Sequence, residues 1–354
     1  MDKKLFRLVE KLKKYHRLTQ REYRYLIDNR TEESAQILAE EARKIKTEIY
    51  GDTVFIRGLI EISNICKNDC YYCGIRKSNK NCERYRLSKE DILSSVDEGY
   101  ALGFKTFVMQ GGEDGHFTDS VLMDLIGEIK AKYPDCAVTL SLGERSFESY
   151  KTLKASGADR YLLRHETADS KHYGKLHPKE LTLKNRKKCL KNLRKAGFQT
   201  GCGFMVGSPY QTTKHLAKDL KFIESFKPDM CGIGPFIPHK DTPFKDYGAG
   251  SAELTCYLLS IIRIIHPPVL LPATTALGSI SGDGRQRGIL SGANVIMPNL
   301  SPVAVRDKYA LYNNKLHSGA EAAENLKLLK KQMAEIGQTI VSDRGDIKLP
   351  KKEK

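Results

Sequence analysis

The first fifty residues carry apolar side chains at three- and four-residue steps, with polar residues between them. At the start of the chain these apolar positions are Leu5, Leu8, Val9 and Leu12. Such spacing places them on one face of a helix, and no strand-like alternation interrupts it. The pattern therefore predicts a helical segment from residue 1 to about residue 50.

The pattern changes after Gly51, where short, β-branched apolar runs begin to alternate with longer amphipathic stretches. Eight runs predict strands, at 53–63, 106–110, 137–142, 160–165, 200–206, 230–237, 269–274 and 294–298. A helix-length segment separates most neighbouring runs, and the one that begins at Ser88 opens with a capping sequence.

The predicted strands are too continuously apolar to have one face in water, which indicates a parallel sheet covered by helices. Eight βα units are the number that closes a barrel. The predicted fold class is therefore α/β, as a complete (βα)8 TIM-type barrel with an N-terminal helical extension. An open, doubly wound sheet is the alternative. We expect the barrel to span 51–340 and a C-terminal tail to span 341–354, whose charged end, residues 347–354, should be frayed.

A parallel barrel carries its chemistry at the carboxyl ends of its strands. Polar or glycine-rich residues follow seven of the predicted strands, at 66–73, 110–114, 141–144, 164–167, 238–239, 274–275 and 298–299. Periodicity and polarity thus agree on where the site should lie.

The formal net charge is +16 and the pI is about 9.3. No basic run is interleaved with stacking aromatic residues, so the charge predicts a lysine-rich surface rather than a nucleic-acid site. No apolar run has the length of about 18 residues that a membrane span requires. The N-terminus lacks the apolar core of a signal peptide. The nine cysteines are an odd number, and three of them fall within eight residues. That distribution is typical of a metal or redox site in the reducing cytoplasm, not of a disulfide framework.

The three crowded cysteines, Cys66, Cys70 and Cys73, have Cys-x3-Cys-x2-Cys spacing. Thiolates are the usual ligands of iron–sulfur clusters. Three ligands for four irons leave one iron open to a small molecule. Structural zinc is the alternative, but it prefers four ligands, and only Cys82, nine residues further on, is near enough in sequence to complete such a site.

This spacing, at the end of the first predicted strand, resembles that of the radical S-adenosylmethionine (radical SAM) superfamily. The resemblance implies a 4Fe–4S cluster on Cys66, Cys70 and Cys73 whose open iron chelates S-adenosylmethionine and cleaves it to a 5′-deoxyadenosyl radical. The residues implied to bind the cofactor are Tyr72, Gln110, Gly111, Gly112, Glu113, Ser141, Glu166, Arg186 and Met230.

Four longer strings resemble a narrower family, the HydE-type maturases of iron-only (FeFe) hydrogenase, which are related to biotin synthase and methylornithine synthase. They are CYYCGIRKSNKN at 70–81, ADRYLLRHETA at 158–168, GIGPFIPH at 232–239 and GANVIMPN at 292–299. The resemblance implies work on an iron–cysteine carbonyl cyanide complex, together with other hydrogenase maturases and an electron donor such as ferredoxin or flavodoxin. The implied substrate residues are Thr139, Arg160, Arg164, Thr274, Thr275, Tyr309 and Tyr312, which would form an anion-holding cavity under a lid of two tyrosines.

The sequence departs from this family in one respect. Many members carry three further cysteines near the C-terminus that bind a second cluster, whereas this chain has no cysteine after Cys256. We therefore expect one cluster. The departure leaves room for a relative with another substrate, such as an amino-acid mutase or a sulfur-inserting enzyme. The other cysteines of apolar segments, Cys136, Cys189, Cys202, Cys231 and Cys256, are expected to be packed as small hydrophobic residues. For His165 a role near the substrate and a place in the core both remain open.

Overall fold

The computed structural model describes residues 1–318 and 323–349. Its first three elements are helices, α1 (Lys3–Tyr15), α2 (Gln20–Asp28) and α3 (Glu32–Tyr50). Thr19 begins α2 with a capping box, since its hydroxyl accepts the Glu22 N–H while the Glu22 carboxylate accepts the Thr19 N–H. All four apolar residues that marked the face of α1 are buried. The helical prediction for this segment is confirmed.

All strand pairs in the described residues are parallel. The strands are β1 (Thr53–Ile56), β2 (Gly58–Ser63), β3 (Thr106–Gly111), β4 (Ala137–Ser141), β5 (Arg160–Leu162), β6 (Gln199–Cys202), β7 (Met205–Val206), β8 (Met230–Cys231), β9 (Gly234–Pro235), β10 (Val295–Ile296) and β11 (Thr339–Val341). Three of the predicted strands are each interrupted once, so that they appear as the pairs β1 and β2, β6 and β7, and β8 and β9. The predicted strand at 269–274 is present only as single bridging residues.

The largest sheet has six strands in the order β2-β3-β4-β5-β6-β8, and two shorter sheets have the orders β10-β1-β11 and β7-β9. Isolated parallel bridges continue from the edge of the large sheet, joining Met230 to Leu270 and Pro272 to Val295. Val295 in turn pairs with Phe55 of β1. The fold is thus an α/β fold built on a parallel sheet.

Helices follow most strands and cover the sheet. They are α4 (Lys89–Ala101), α5 (Asp119–Lys132), α6 (Phe147–Ala155), α7 (Ser170–Leu176), α8 (Leu183–Lys195), α9 (Thr213–Phe226), α10 (Ala252–Ile265), α11 (Thr275–Ile280), α12 (Gly284–Leu290), α13 (Val303–Arg306) and α14 (Leu326–Ala334), with a 3-10 turn at Ala323–Asn325. Ser88 caps α4 as predicted, because its hydroxyl accepts the Asp91 N–H. Helix α10 is buried along most of its length because α3 packs on it. Within the described residues, no helix is long and apolar enough to cross a membrane.

The segment after β11 crosses the amino-terminal ends of the strands. Arg344 forms ion pairs with Asp159 and Asp346, and Asp346 lies 2.5 Å from the guanidinium of Arg160. The tail is therefore held at residues 344 and 346, just before residues 347–354, for which fraying is expected. Residues 350–354 lie outside the described part of the chain.

Candidate active site

A cavity of about 300 Å³ opens at the carboxyl ends of the strands. The loop after β2 provides one wall, the loops after β3, β4 and β5 provide another, and the segment 307–318, here called the mouth segment, covers part of the opening. Of the residues predicted from the sequence, the cavity is lined by Cys66, Cys70, Tyr72, Cys73, Gln110, Gly111, Gly112, Glu113, Ser141, Arg164, Glu166, Arg186, Thr274, Tyr309 and Tyr312.

The cysteine loop, residues 66–73, is held in place at several points. Asp69 accepts hydrogen bonds from the Arg76 guanidinium (Nε at 2.8 Å) and from the Ser78 N–H (2.9 Å). The Arg76 hydrogen bond lowers the pKa of Asp69 to about 2. The Tyr71 N–H donates to the Leu176 carbonyl at the end of α7. These contacts fix the backbone that carries the three thiols.

Gly112 lies directly behind this loop. A Cβ atom on Gly112 would be 2.2 Å from the Ile65 carbonyl oxygen and 2.8 Å from Cys66 Cβ, so only glycine fits there. The next N–H, that of Glu113, donates to Cys66 Sγ at 3.3 Å. Hydrogen bonds to a cluster's cysteine sulfurs are among the features that tune its reduction potential.

The three thiols suit an iron–sulfur cluster. All are free, partly exposed and open to the cavity. Burial raises the pKa of Cys66 and raises that of Cys70 to about 12, so ligation, which needs thiolates, must release protons. Among the described residues, no three His, Cys, Asp or Glu side chains converge on one ion position. A cubane cluster does not require its ligands to converge on one position, because each thiolate binds a different iron.

Tyr72 contacts a histidine that sequence reasoning missed. His177 Nδ1 lies 3.0 Å from the Tyr173 carbonyl oxygen, so it carries the hydrogen, and Nε2 accepts from the Tyr72 hydroxyl at 3.2 Å. Burial lowers the pKa of His177 to about 3. His177 is therefore neutral at physiological pH and can keep this acceptor role.

Glu113, after β3, connects two loops. Its Oε1 accepts the Glu144 N–H at 3.0 Å, and its Oε2 lies 3.2 Å from the Lys67 ammonium. Gly143 makes room for this side chain, because a Cβ at that position would be 2.0 Å from Glu113 Cγ. Gln110 Nε2 lies 3.5 Å from the Tyr309 hydroxyl across the cavity.

Arg164 and Glu166 face the cysteine loop. Arg164 Nη2 and Glu166 Oε2 form an ion pair at 3.0 Å, yet neither atom has a partner at hydrogen-bonding angles. Their hydrogen-bonding capacity is therefore available to a ligand. Glu166 has φ +60°, a left-handed conformation that a non-glycine residue adopts only when its surroundings require it.

His165 lies behind this turn and does not line the cavity. It is fully buried, with Nε2 3.3 Å from Asp219 of α9, and its Nδ1 accepts the Gly203 N–H. Asp219 also accepts the Ala168 N–H. Of the two roles that the sequence left open for His165, the structure places it in the core, where it supports the turn that carries Glu166.

Arg186, from α8, reaches the cavity between two loops. Its Nε donates to Glu144 at 2.5 Å and its Nη1 to the Arg164 carbonyl at 2.7 Å. Glu144 was not predicted as a site residue, although it lies in the polar segment 141–144 that follows the third predicted strand.

The mouth segment contributes Tyr309 and Tyr312 to the cavity. It is held by a buried ion pair that the sequence analysis also missed, between Lys315 and Glu61 of β2 at 2.6 Å. The Glu61 side chain is fully buried, and Asn299 donates to its other oxygen at 3.0 Å. A lone carboxylate within an apolar strand was the signal available in the sequence.

Four predicted residues are not among those that line the cavity. Arg160 is the first residue of β5, and its guanidinium bonds to Thr106 and Gln199, the first residues of β3 and β6, and to Asp346. It therefore lies at the opposite ends of the strands, and the prediction that it lines this cavity is wrong. Met230 begins β8 in the same way, and its sulfur accepts from Arg57, so it does not lie on the wall of this cavity.

The other two residues are threonines. Thr139 lies two residues before Ser141 on β4, deeper in the sheet, where it is buried. Thr275 is half-buried at the start of α11, while its neighbours Thr274 and Ala276 line the cavity. Thr139 shares the strand face of Ser141 but lies too deep in the sheet to line the cavity, and Thr275 is not among the lining residues.

Comparison with known proteins places this site in a family. A family model described as the radical SAM superfamily matches residues 60–223. The FeFe hydrogenase maturase subunit HydE of Thermotoga maritima is 46% identical over 275 residues, 78% of this chain and 78% of that protein. A 3-methylornithine synthase of Methanosarcina acetivorans is 26% identical over 337 residues, 94% and 93% of the two chains.

The crystal structure of methylornithine synthase (PylB) superposes with a TM-score of 0.83 and covers 94% of this chain and 97% of that chain. At 23% sequence identity this match bears on the fold alone. Membership of the superfamily implies a 4Fe–4S cluster and S-adenosylmethionine, and the thiols, the close-packed glycine and the unpartnered polar atoms described above fit both. The chain belongs to the radical SAM superfamily and, within it, to the HydE family.

Proposed function

We propose that this radical SAM enzyme acts in assembly of the iron subcluster of FeFe hydrogenase, on a small iron–cysteine carbonyl cyanide complex. The 46% identity to the HydE maturase, against 26% to 3-methylornithine synthase, carries this proposal. The far wall of the cavity supports it, because Arg164, Thr274 and two tyrosines suit a small anionic complex better than a long apolar chain.

Cys66, Cys70 and Cys73 would hold one 4Fe–4S cluster, and this cluster with bound S-adenosylmethionine would supply a 5′-deoxyadenosyl radical. The backbone at Gly111–Gly112 and the carboxylate of Glu113 would receive the methionine end of the cofactor. Tyr72, Gln110, Ser141, Glu166 and Arg186 would surround the remainder. Glu166 supports this assignment because it lines the cavity and its Oε2, which receives no hydrogen bond at favourable angles, could accept from an ammonium or a ribose hydroxyl.

Arg164 and Thr274 would bind the substrate, and Tyr309 and Tyr312 would cover it and exclude water. Thr275, Thr139, Arg160 and Met230 are left out of this proposal because they do not line the cavity.

A complete eight-stranded barrel is also part of the proposal. The six-stranded sheet, the bridges at Leu270 and Pro272, and the pairing of β10 with β1 support a closed ring, as does the bridge between Leu59 and Asn299. Closure would bring the first and eighth strands side by side, so that the mouth segment reaches across to Glu61.

We further propose one cluster, a cytoplasmic location, and the partners implied by the family: other hydrogenase maturases and a ferredoxin or flavodoxin. All nine cysteines are free, which supports a reducing compartment. The chain has no cysteine after Cys256 for a second cluster.

The proposal is tested by anaerobic reconstitution followed by hydrogenase maturation in a defined mixture. We expect about four irons per chain, formation of 5′-deoxyadenosine after reduction with dithionite, and hydrogenase activity that depends on this chain. Formation of 3-methylornithine, with no effect on hydrogenase, would instead assign an amino-acid mutase. About six irons per chain would contradict the single cluster.

A further inference from the structure

The surface beside the cysteine loop is unusually basic. Between residues 170 and 188, covering α7 and the first half of α8, the chain has seven lysines and arginines and one acidic residue, Glu180. Five of these lysines are exposed and form what we call the basic face: Lys171, Lys175, Lys179, Lys184 and Lys188.

Among the residues that the structure describes, no ion pair neutralises these five lysines, whereas several lysines on other helices are paired. On α4 and α5, for example, Lys89 pairs with Asp124 and Lys132 pairs with Asp97. In the part of the chain that the structure describes, the ion pairs closest to the basic face use other residues, Lys218 with Asp169 and Arg186 with Glu144. Ion pairs among the described residues therefore leave the positive charge of the basic face unneutralised, which favours an acidic partner.

The chain segment that carries the basic face contacts the cysteine loop through Leu176 and His177. The Leu176 carbonyl at the end of α7 accepts the Tyr71 N–H at 3.0 Å, and His177 accepts from the Tyr72 hydroxyl. Tyr71 and Tyr72 lie between Cys70 and Cys73 in the sequence. On the loop itself, Lys77 and Lys80 are also exposed and extend the positive charge. A protein bound to the basic face would therefore lie next to the loop that carries the three thiols.

We propose that the basic face docks an acidic one-electron carrier protein that reduces the cluster. This inference rests on the proposed function and names a partner surface for that site. The reduced carrier would lose one electron and the 4Fe–4S cluster would gain it, with no atom transferred. A position beside the thiols favours an acidic redox protein over a nucleic acid, because a nucleic acid carries no electron for the cluster, even though Lys175 lies 4.6 Å from the ring of the exposed Tyr210.

The test compares a triple variant, Lys171→Glu, Lys175→Glu and Lys184→Glu, with a control in which Lys327, Lys330 and Lys331 of α14 become Glu. All six lysines are exposed, and the net charge change is the same. The first measurement is binding of flavodoxin and of a plant-type ferredoxin to the cluster-free chain at low and high salt. We expect affinity to fall about tenfold or more in the triple variant at low salt and to stay near wild type in the control.

The second measurement is the rate at which each reduced carrier reduces the reconstituted cluster, followed by stopped-flow absorbance. We expect a fall of about tenfold in the triple variant only, with dithionite-driven formation of 5′-deoxyadenosine unchanged. If the wild-type protein forms no 5′-deoxyadenosine with dithionite, the proposed function is refuted. The binding measurement would still test the docking surface in that case. Equal carrier binding by both variants, or tighter binding of a single-stranded RNA that the triple variant loses, would overturn the inference.

Discussion

The nine cysteines differ chiefly in what surrounds each thiol. Cys136, Cys189, Cys202, Cys231 and Cys256 are buried, as predicted, and behave as small core residues. Cys82 is partly exposed but does not line the cavity. Only Cys66, Cys70 and Cys73 combine exposure with a place on the cavity wall, and this access separates potential ligands from packing residues.

Cys70→Ala should abolish cluster binding and formation of 5′-deoxyadenosine, because two thiolates in this loop cannot hold the cluster. Cys82→Ala is the matched control and should keep both, since it removes a thiol nine residues beyond Cys73 but outside the cavity. Iron content and the visible absorption of the anaerobically reconstituted proteins provide the measurement. Full iron content in the Cys70 variant would refute the ligand assignment.

His177 should make stability depend on pH. Its pKa is about 3 in the folded chain and 6.5 in its ordinary state, so below pH 6.5 the unfolded chain binds a proton that the folded chain excludes. The contribution of His177 to the free energy of unfolding is therefore fully present above pH 6.5 and is lost as the pH falls toward 3. Lowering the pH from 7.5 to 5.5 should reduce the free energy of unfolding by about 1 kcal/mol through this one group.

Urea unfolding of the cluster-free chain at both pH values measures this effect. His177→Gln should show a loss smaller by about 1 kcal/mol over the same interval, because the glutamine does not titrate. Identical losses in the two proteins would mean that His177 is not held neutral.

At the scale of elements, the cavity is built from loops that hold one another. The cysteine loop is fixed by the end of α7, the turn carrying Glu166 is fixed by Asp219 of α9, and the mouth segment is fixed by Glu61 of β2. Each loop is thus positioned by an element distant from it in sequence. A site of this kind forms only after the sheet and its helices have assembled.

Lys315→Met should loosen the mouth segment, because it leaves the Glu61 carboxylate buried with no cationic partner. Removing one partner of a buried ion pair costs about 3 kcal/mol. Lys327→Met, on an exposed position of α14, should change stability by less than about 0.5 kcal/mol. Chemical denaturation measures both variants, and limited proteolysis reports opening of the segment.

A second variant separates the ion pair from other effects of the substitution. Combining Lys315→Met with Glu61→Gln should recover part of the loss, because the buried charge is then removed. Purely additive losses would indicate that the two residues do not interact.

At the scale of the whole molecule, the two ends of the described chain complete the structure. Helices α1 to α3 cover the outside of α9 and α10, while β11 pairs with β1 and the following residues cross the amino-terminal ends of β3, β5 and β6. The cavity therefore lies at one end of the strands and a network of arginines and aspartates at the other.

Asp346→Ala should lower the free energy of unfolding by about 2 kcal/mol, because it removes charge-assisted hydrogen bonds from Arg160, Gln199 and Arg344. The activity of each folded molecule should not change, since the cavity lies at the opposite ends of the strands. Asp246→Ala, at an exposed position, is the control. Denaturation curves and the rate of 5′-deoxyadenosine formation test the two expectations separately. A selective loss of activity would show that the network acts on the site.

Local patterns in the sequence determined the helices, most strands, their parallel arrangement and the cavity wall nearest the cysteines. These features depend on side chains that are close in sequence: three cysteines within eight residues, a glycine pair after a strand, an apolar face on α1. The strand at 339–341 was missed because three residues give too short a pattern to distinguish from a loop.

The tertiary structure alone decided which end of a strand each side chain occupies and which distant residue it meets. Arg160 and Arg164 are four residues apart on the same strand and its following turn, yet one bonds to Asp346 and the other faces the cysteine loop. Lys315 and Glu61 are 254 residues apart and still form a buried pair. Sequence spacing fixes local geometry, whereas the burial and charge partners of a side chain depend on the packing of the whole fold.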